Sequence, residues 1–143
     1  MPMLQGKIAC ITGASAGIGE ACARVLAREG AALLLSARRT DRVKALANDL
    51  GKQHGIKTHV NQLDVQKRDD VSRYVEGLPP EWQQIDILVN NAGLSRGLDK
   101  LHEGSIQDWE EMIDTNIKGL LYVTRAILPG MVKRDSGQFR ALQ

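Results

Sequence analysis

Apolar positions along the chain switch repeatedly between a short-run pattern and a helical period. Ile8–Thr12 is a compact apolar run and predicts a strand. After the glycine-rich stretch Gly13–Gly19, residues Ile18, Ala21, Cys22, Val25 and Leu26 fall on one helical face, and Gly30 stands where a helix terminates. Ala32–Ala37 is apolar on both faces and predicts a second strand. Thr40 or Asp41 caps a helix running to about Gln53, with Val43, Leu46, Ala47 and Leu50 turned inward. Ile56–Leu63 alternates with polar His59 and Asn61, which suits an edge strand. Val71, Tyr74, Val75 and Leu78 mark a third helix, ended by Pro79 and Pro80. Ile85–Val89 reads as a deeply buried strand. Residues 94–104 form a loop, and Ser105 with Asp108 resembles a capping box. One long helix is expected from there to about Leu128, with Trp109, Met112, Ile113, Asn116, Ile117, Leu120, Leu121, Thr124 and Ile127 or Leu128 on a broad face.

The order βαβαβαβα implies parallel strands joined by right-handed crossovers, with helices on both faces of the sheet. The nearly all-apolar strands at 32–37 and 85–89 agree with that burial. A chain of 143 residues is one domain or part of one. Aromatic residues are only 3% of it, so Ala, Leu, Ile and Val must fill the core. Nineteen basic and 17 acidic residues leave a net charge of +2, too mild for a nucleic-acid surface built on bulk charge. The longest apolar run, Ala31–Leu35, falls far short of the roughly 20 residues of a membrane span. The first residues lack the apolar stretch of a signal peptide, so a cytoplasmic protein is expected, with no membrane partner. Cys10 and Cys22 read as free thiols in a reducing compartment. His54, His59 and His102 show no ligand spacing, and no metal site is expected.

Thr12-Gly13-Ala14-Ser15-Ala16-Gly17-Ile18-Gly19 joins the first strand to the first helix. Gly13 suits a tight turn, Gly17 a close approach of backbone to a pyrophosphate, and Gly19 the packing of helix on sheet. The free N–H groups and positive dipole end of the helix then face the phosphates. Glycines also make plain turns, but the strand–loop–helix context favours a dinucleotide. Arg38 and Arg39 follow the second strand, where an acidic side chain would bind the ribose hydroxyls of NAD. Guanidinium groups suit a 2′-phosphate instead, which predicts NADP(H) in preference to NAD(H). The alternative is a solvated arginine pair at a strand end.

These residues resemble the short-chain dehydrogenase/reductase family. The T-G-x-x-x-G-x-G loop at 12–19, Asp64-Val65, the Asn90-Asn91-Ala92-Gly93 run and Asn116 within Asp114–Gly119 carry the likeness, which covers residue 4 to about 137. The resemblance implies a Rossmann-like, doubly wound parallel α/β sheet, here truncated, with strand order 3-2-1-4. It implies cofactor contacts from Gly13, Ser15, Gly17, Ile18, Gly19, Arg38, Arg39, Asp64, Val65, Asn91, Ala92 and Gly93. It implies a catalytic role for Asn116, and hydride transfer between nicotinamide and an alcohol or carbonyl carbon. A Rossmann-like methyltransferase is the more distant alternative; the arginine pair argues against it.

The same resemblance implies a serine and a Tyr-x-x-x-Lys pair, the lysine lowering a phenol pKa that otherwise lies near ~10. The tyrosines here are Tyr74 and Tyr122, followed four residues later by Leu78 and Ala126. The expectation is therefore a partial dinucleotide-binding domain over 1–137 with a non-family tail at 138–143, produced by a frameshift, splice or premature stop. Such a chain would bind its dinucleotide and act on a small alcohol or carbonyl substrate only if completed. It would otherwise be a catalytically inactive fragment or a regulatory partner. The strand at 85–89 would be left as an unpaired apolar edge, predicting weak stability, homo-oligomers, or mixed oligomers with a full-length relative.

Overall fold

The computed structural model describes residues 2–142. Five parallel strands, β1 (Ile8–Thr12), β2 (Ala32–Ala37), β3 (Thr58–Gln62), β4 (Ile87–Asn90) and β5 (Gln138–Ala141), form one sheet in the order β3-β2-β1-β4-β5. The helices are α1 (Gly17–Arg28), α2 (Asp41–His54), α3 (Arg68–Glu76), α4 (Ile106–Ile113) and α5 (Leu120–Arg134). The doubly wound arrangement and its 3-2-1-4 core agree with the sequence reading. So does the edge position of β3, whose His59 stacks on buried Trp82 at 5.5 Å between centroids.

Side-chain alternation explains why both faces are covered. Ala9 and Ile11 of β1 and Leu33 and Leu35 of β2 point to α1 and α2, where Ala23, Ala27, Val43 and Leu50 complete a core. Cys10, Leu34 and Leu88 point the other way, against Val71, Tyr74, Val123, Ile127 and Met131. No helix among the described residues is long and apolar enough to cross a membrane. No cluster of three or more potential metal-ligating side chains occurs among them.

Two expectations are corrected. Strand β4 is not an open edge, because β5 pairs along its outer side with Leu88 opposite Phe139. The segment Gln-Phe-Arg-Ala shows almost no apolar pattern, since only Phe139 is half-buried. Its placement comes from the backbone. Asp135 ends α5 in a left-handed conformation (φ 51°), and Gly137 (φ 145°) passes so close to Met131 that a Cβ would lie 2.7 Å from its Cγ. The chain thus reverses beside β4, and Gln138 N–H donates to Asp86 O at 2.8 Å.

The second correction concerns the long helix. A π-helical turn, Asp114–Gly119, separates α4 from α5. The buried stripe is Thr115, Gly119, Val123, Ile127 and Met131, whereas Ile113, Ile117 and Leu121 are about half exposed. Period alone favoured the larger residues. Packing chose the small Thr115 and Gly119 at the start of the stripe, because the helix backbone there runs directly against Val65, and a Cβ on Gly119 would lie 2.6 Å from that side chain.

Candidate cofactor site

The carboxyl ends of β1, β2, β3 and β4 open into one cleft of about 720 Å³. Thr12, at the end of β1, is 1% exposed and ties the cleft floor together. Its Oγ1 accepts from the backbone N–H groups of Asn91 (3.1 Å) and Ala92 (3.0 Å). Asn91 returns the tie, donating from Nδ2 to Gly13 O at 2.9 Å. The turn after β1 is anchored to β2 as well, by Gly13 N–H donating to Ser36 O at 2.9 Å.

Gly13 is required here on two counts. Its φ is +65°, and a Cβ would sit 2.7 Å from Ala92 Cα. Gly19 is required for space alone, although the neighbours differ from those expected. A Cβ there would meet Asn91 Nδ2 and Gly13 O, so the missing side chain makes room for the turn itself rather than for the sheet. Gly17 (φ +58°) opens α1 with free space on its Cβ side. The Ala16 cap of that helix supplies no side-chain acceptor, which leaves the first-turn N–H groups without a side-chain cap where Ala16 and Ile18 line the cleft.

Gly13, Ser15, Ile18, Arg38, Arg39, Asp64, Val65, Asn91, Ala92, Gly93 and Asn116 all line this cleft. Gly17 and Gly19, both in the first turn of α1, are not among the lining residues. Arg38 and Arg39 are exposed and form no ion pair with a carboxylate among the described residues. Asp64 Oδ1 accepts from Gln66 N–H at 3.1 Å, which fixes the turn after β3. The Asn116 amide is used on both sides by one backbone unit. Oδ1 accepts from Leu94 N–H (2.7 Å) and Nδ2 donates to Leu94 O (2.8 Å). This geometry makes its side chain a clamp on the strand-to-loop segment that follows Gly93.

Neither tyrosine lines the cleft. Tyr74 is buried, with its hydroxyl 3.7 Å from Cys10 Sγ. Burial pushes the Cys10 thiol up to about 12 and holds the Tyr74 phenol well above its usual value, so both are neutral near pH 7. Tyr122 lies on α5, half-buried. Thr12 opened the quoted loop motif but was given no role, and Leu94 and the cleft-lining Thr115 were not singled out. The partners of Thr12 and Leu94 are 20 or more residues away, and no local pattern announces them.

The cradle fits a dinucleotide on its own terms. It pairs a glycine turn that a Cβ would fill with a helix N-terminus, two unpaired guanidinium groups and an apolar-to-polar wall. The short chain dehydrogenase family model matches residues 7–139. An NADP-dependent 3-hydroxy acid dehydrogenase, YdfG, of Salmonella typhi is 47% identical over 130 residues, covering 91% of this chain and 51% of that protein. A closed form of serine dehydrogenase complexed with NADP+ superposes with a TM-score of 0.87 at 45% identity, over 94% of this chain and 52% of the other. An alcohol dehydrogenase from Thermococcus sibiricus, complexed with 5-hydroxy-NADP, gives 0.89 at 38% identity over 94% and 57%. The chain thus spans about half the length of these proteins.

Proposed function

Because this chain belongs to the short-chain dehydrogenase family, we propose that it binds NADP(H) in preference to NAD(H), as the cofactor-binding part of an oxidoreductase acting on alcohol and carbonyl groups. One observation carries the reading. The glycine turn, the arginine pair and the Asn91–Gly93 segment, far apart in sequence, share the wall of a single cleft at the carboxyl ends of the strands.

Each group has a physical task. The free N–H groups at the start of α1 take the pyrophosphate. Arg38 and Arg39 take the 2′-phosphate through charge-assisted hydrogen bonds, and neither is held in an ion pair among the described residues. Asp64 and Val65 stand at the base end of the cleft. Asn91, Ala92 and Gly93 bound the cleft above β4, and Asn116 positions the segment after them through Leu94. The dinucleotide supplies hydride transfer when bound; these residues bind and orient it. The relatives named above for 3-hydroxy acids and for serine, itself a 3-hydroxy acid, support a 3-hydroxy acid as substrate of the whole protein.

Calorimetric titration with NADP+ and NAD+ tests the reading. NADP+ should bind at least tenfold more tightly, on the scale of one lost charge-assisted phosphate contact. Arg38→Ala and Arg39→Ala should each narrow the gap. Equal or tighter binding of NAD+ by the unaltered protein would overturn the preference.

A further inference from the structure

Strand β3 is an edge, and a second cavity of about 460 Å³ lies between its carboxyl end and α3. Arg38 and Asp64 line both this cavity and the cofactor cleft, so the two are neighbours with a common wall. No residue of the glycine turn, of Asn91–Gly93 or of the π-helical turn lines it, which sets it apart from the path proposed for the dinucleotide. Its size is in the range of small-molecule sites. Asn61 and Gln62 of β3 give it a polar floor, and Gln62 Nε2 donates to Arg38 O at 3.1 Å, which fixes the backbone at the shared wall.

The charges around this cavity are not all committed to one another. Arg73 is committed, donating to Asp70 Oδ1 at 2.6 Å. Asp64 Oδ1 accepts from Gln66 N–H at 3.1 Å. Arg38 and Lys67 stand in no ion pair among the described residues. The cavity thus offers two free cations beside carboxylate oxygens that, when ionised, only accept. A bare anion would gain from the cations and be repelled by the carboxylates. An anion that also carries hydroxyl groups satisfies both, because the hydroxyls donate to the carboxylates while the anionic end takes the cations.

We propose that this second cavity binds a small hydroxylated phosphate ester, with its phosphate on Arg38 and Lys67 and its hydroxyls on Asp64 and Asn61. The ester and the 2′-phosphate of NADP(H) then compete for one guanidinium, since Arg38 serves one of the two anions at a time. Occupancy of the cavity weakens NADP(H) and leaves NAD(H) unaffected, which makes it a regulatory site. That coupling rests on the dinucleotide reading above; the ester site itself does not.

The probe is ribose 5-phosphate, titrated calorimetrically against the unaltered protein and Lys67→Gln, first without dinucleotide. Lys67 is exposed and lines the second cavity but not the cofactor cleft, so its variant should melt at an unchanged temperature. It should bind the ester about tenfold more weakly, the scale of one charge-assisted hydrogen bond. Inorganic phosphate should bind the unaltered protein more weakly than the ester does. No binding of the ester, or equal binding by Lys67→Gln, overturns the proposal, and so does inorganic phosphate that binds as tightly as the ester. With dinucleotide, ribose 5-phosphate at about ten times its Kd should weaken NADP+ about threefold or more and leave NAD+ within about twofold; full exclusion would reach about tenfold. An equal effect on both dinucleotides, or none, overturns the competition for Arg38. If the protein binds no dinucleotide yet keeps Lys67-dependent binding of the ester, the dinucleotide reading and the competition fall while the ester site stands.

Discussion

Replacing Thr12 by valine should loosen the cleft floor while leaving the side-chain volume almost unchanged. Thr12 Oγ1 is the acceptor for two backbone donors, Asn91 N–H at 3.1 Å and Ala92 N–H at 3.0 Å. Valine removes both bonds at once and puts a methyl group against two N–H dipoles. Each lost bond removes about 0.5–1.5 kcal/mol net, and a stranded N–H adds about 1–3 kcal/mol where water cannot reach it. Asn91 and Ala92 are half-buried, so partial rehydration keeps the total to roughly 2–4 kcal/mol. That is a large part of the ~5–15 kcal/mol expected for a domain. Urea unfolding followed by tryptophan fluorescence reads it well, because Trp82 is buried in the second core. Thr12→Ser keeps the oxygen and should recover most of the loss. A Thr12→Val midpoint within about 0.5 kcal/mol of the unaltered protein would refute the reasoning. So would equal destabilisation of the serine variant.

Asn116→Ala should cost roughly 1–3 kcal/mol and speed amide exchange at Leu94, its partner on both sides; unchanged exchange there would remove the clamp. Gly19→Ala should lower nucleotide affinity at least tenfold, since the added Cβ displaces Gly13 O and the Asn91 amide, and titration with NADP+ checks it. Stability should also fall above pH 9. The Cys10 thiol titrates at about 12 when folded and near 9 when unfolded, so between these values only the unfolded chain releases the proton. The slope is about −1.4 kcal/mol per pH unit, steepening above pH 10 where Tyr74 adds the same sign. Urea midpoints at pH 8.5, 9.5 and 10.5 measure it, and a flat profile would contradict the buried-thiol account. Cys22, half-buried on α1, should alkylate in the native protein while Cys10 stays protected.

The element order, the parallel sheet and the site loops were legible because each rests on a local signal. Ala32–Ala37 is apolar on both faces, and a strand covered on both sides must be so. Gly13 stands at a backbone angle that disfavours a side chain. Arg38 and Arg39 follow the strand whose end they mark. Residues 138–141 were not legible as a strand. Their pairing with β4 is made by backbone groups, set by the left-handed end of α5 and the contact of Gly137 with Met131. The π-helical turn was hidden for a related reason, because it changes which of two overlapping stripes is buried without changing any residue.

What the sequence determined by itself is the alternating α/β chain, its glycine-rich turn and the charge beside the second strand, since each follows from periodicity and residue chemistry within a few positions. What only the tertiary structure decided is which groups meet: Thr12 with Asn91 and Ala92, Asn116 with Leu94, and Gly119 with Val65. Those meetings depend on the crossing of distant elements at a few ångströms, a distance that no local pattern encodes.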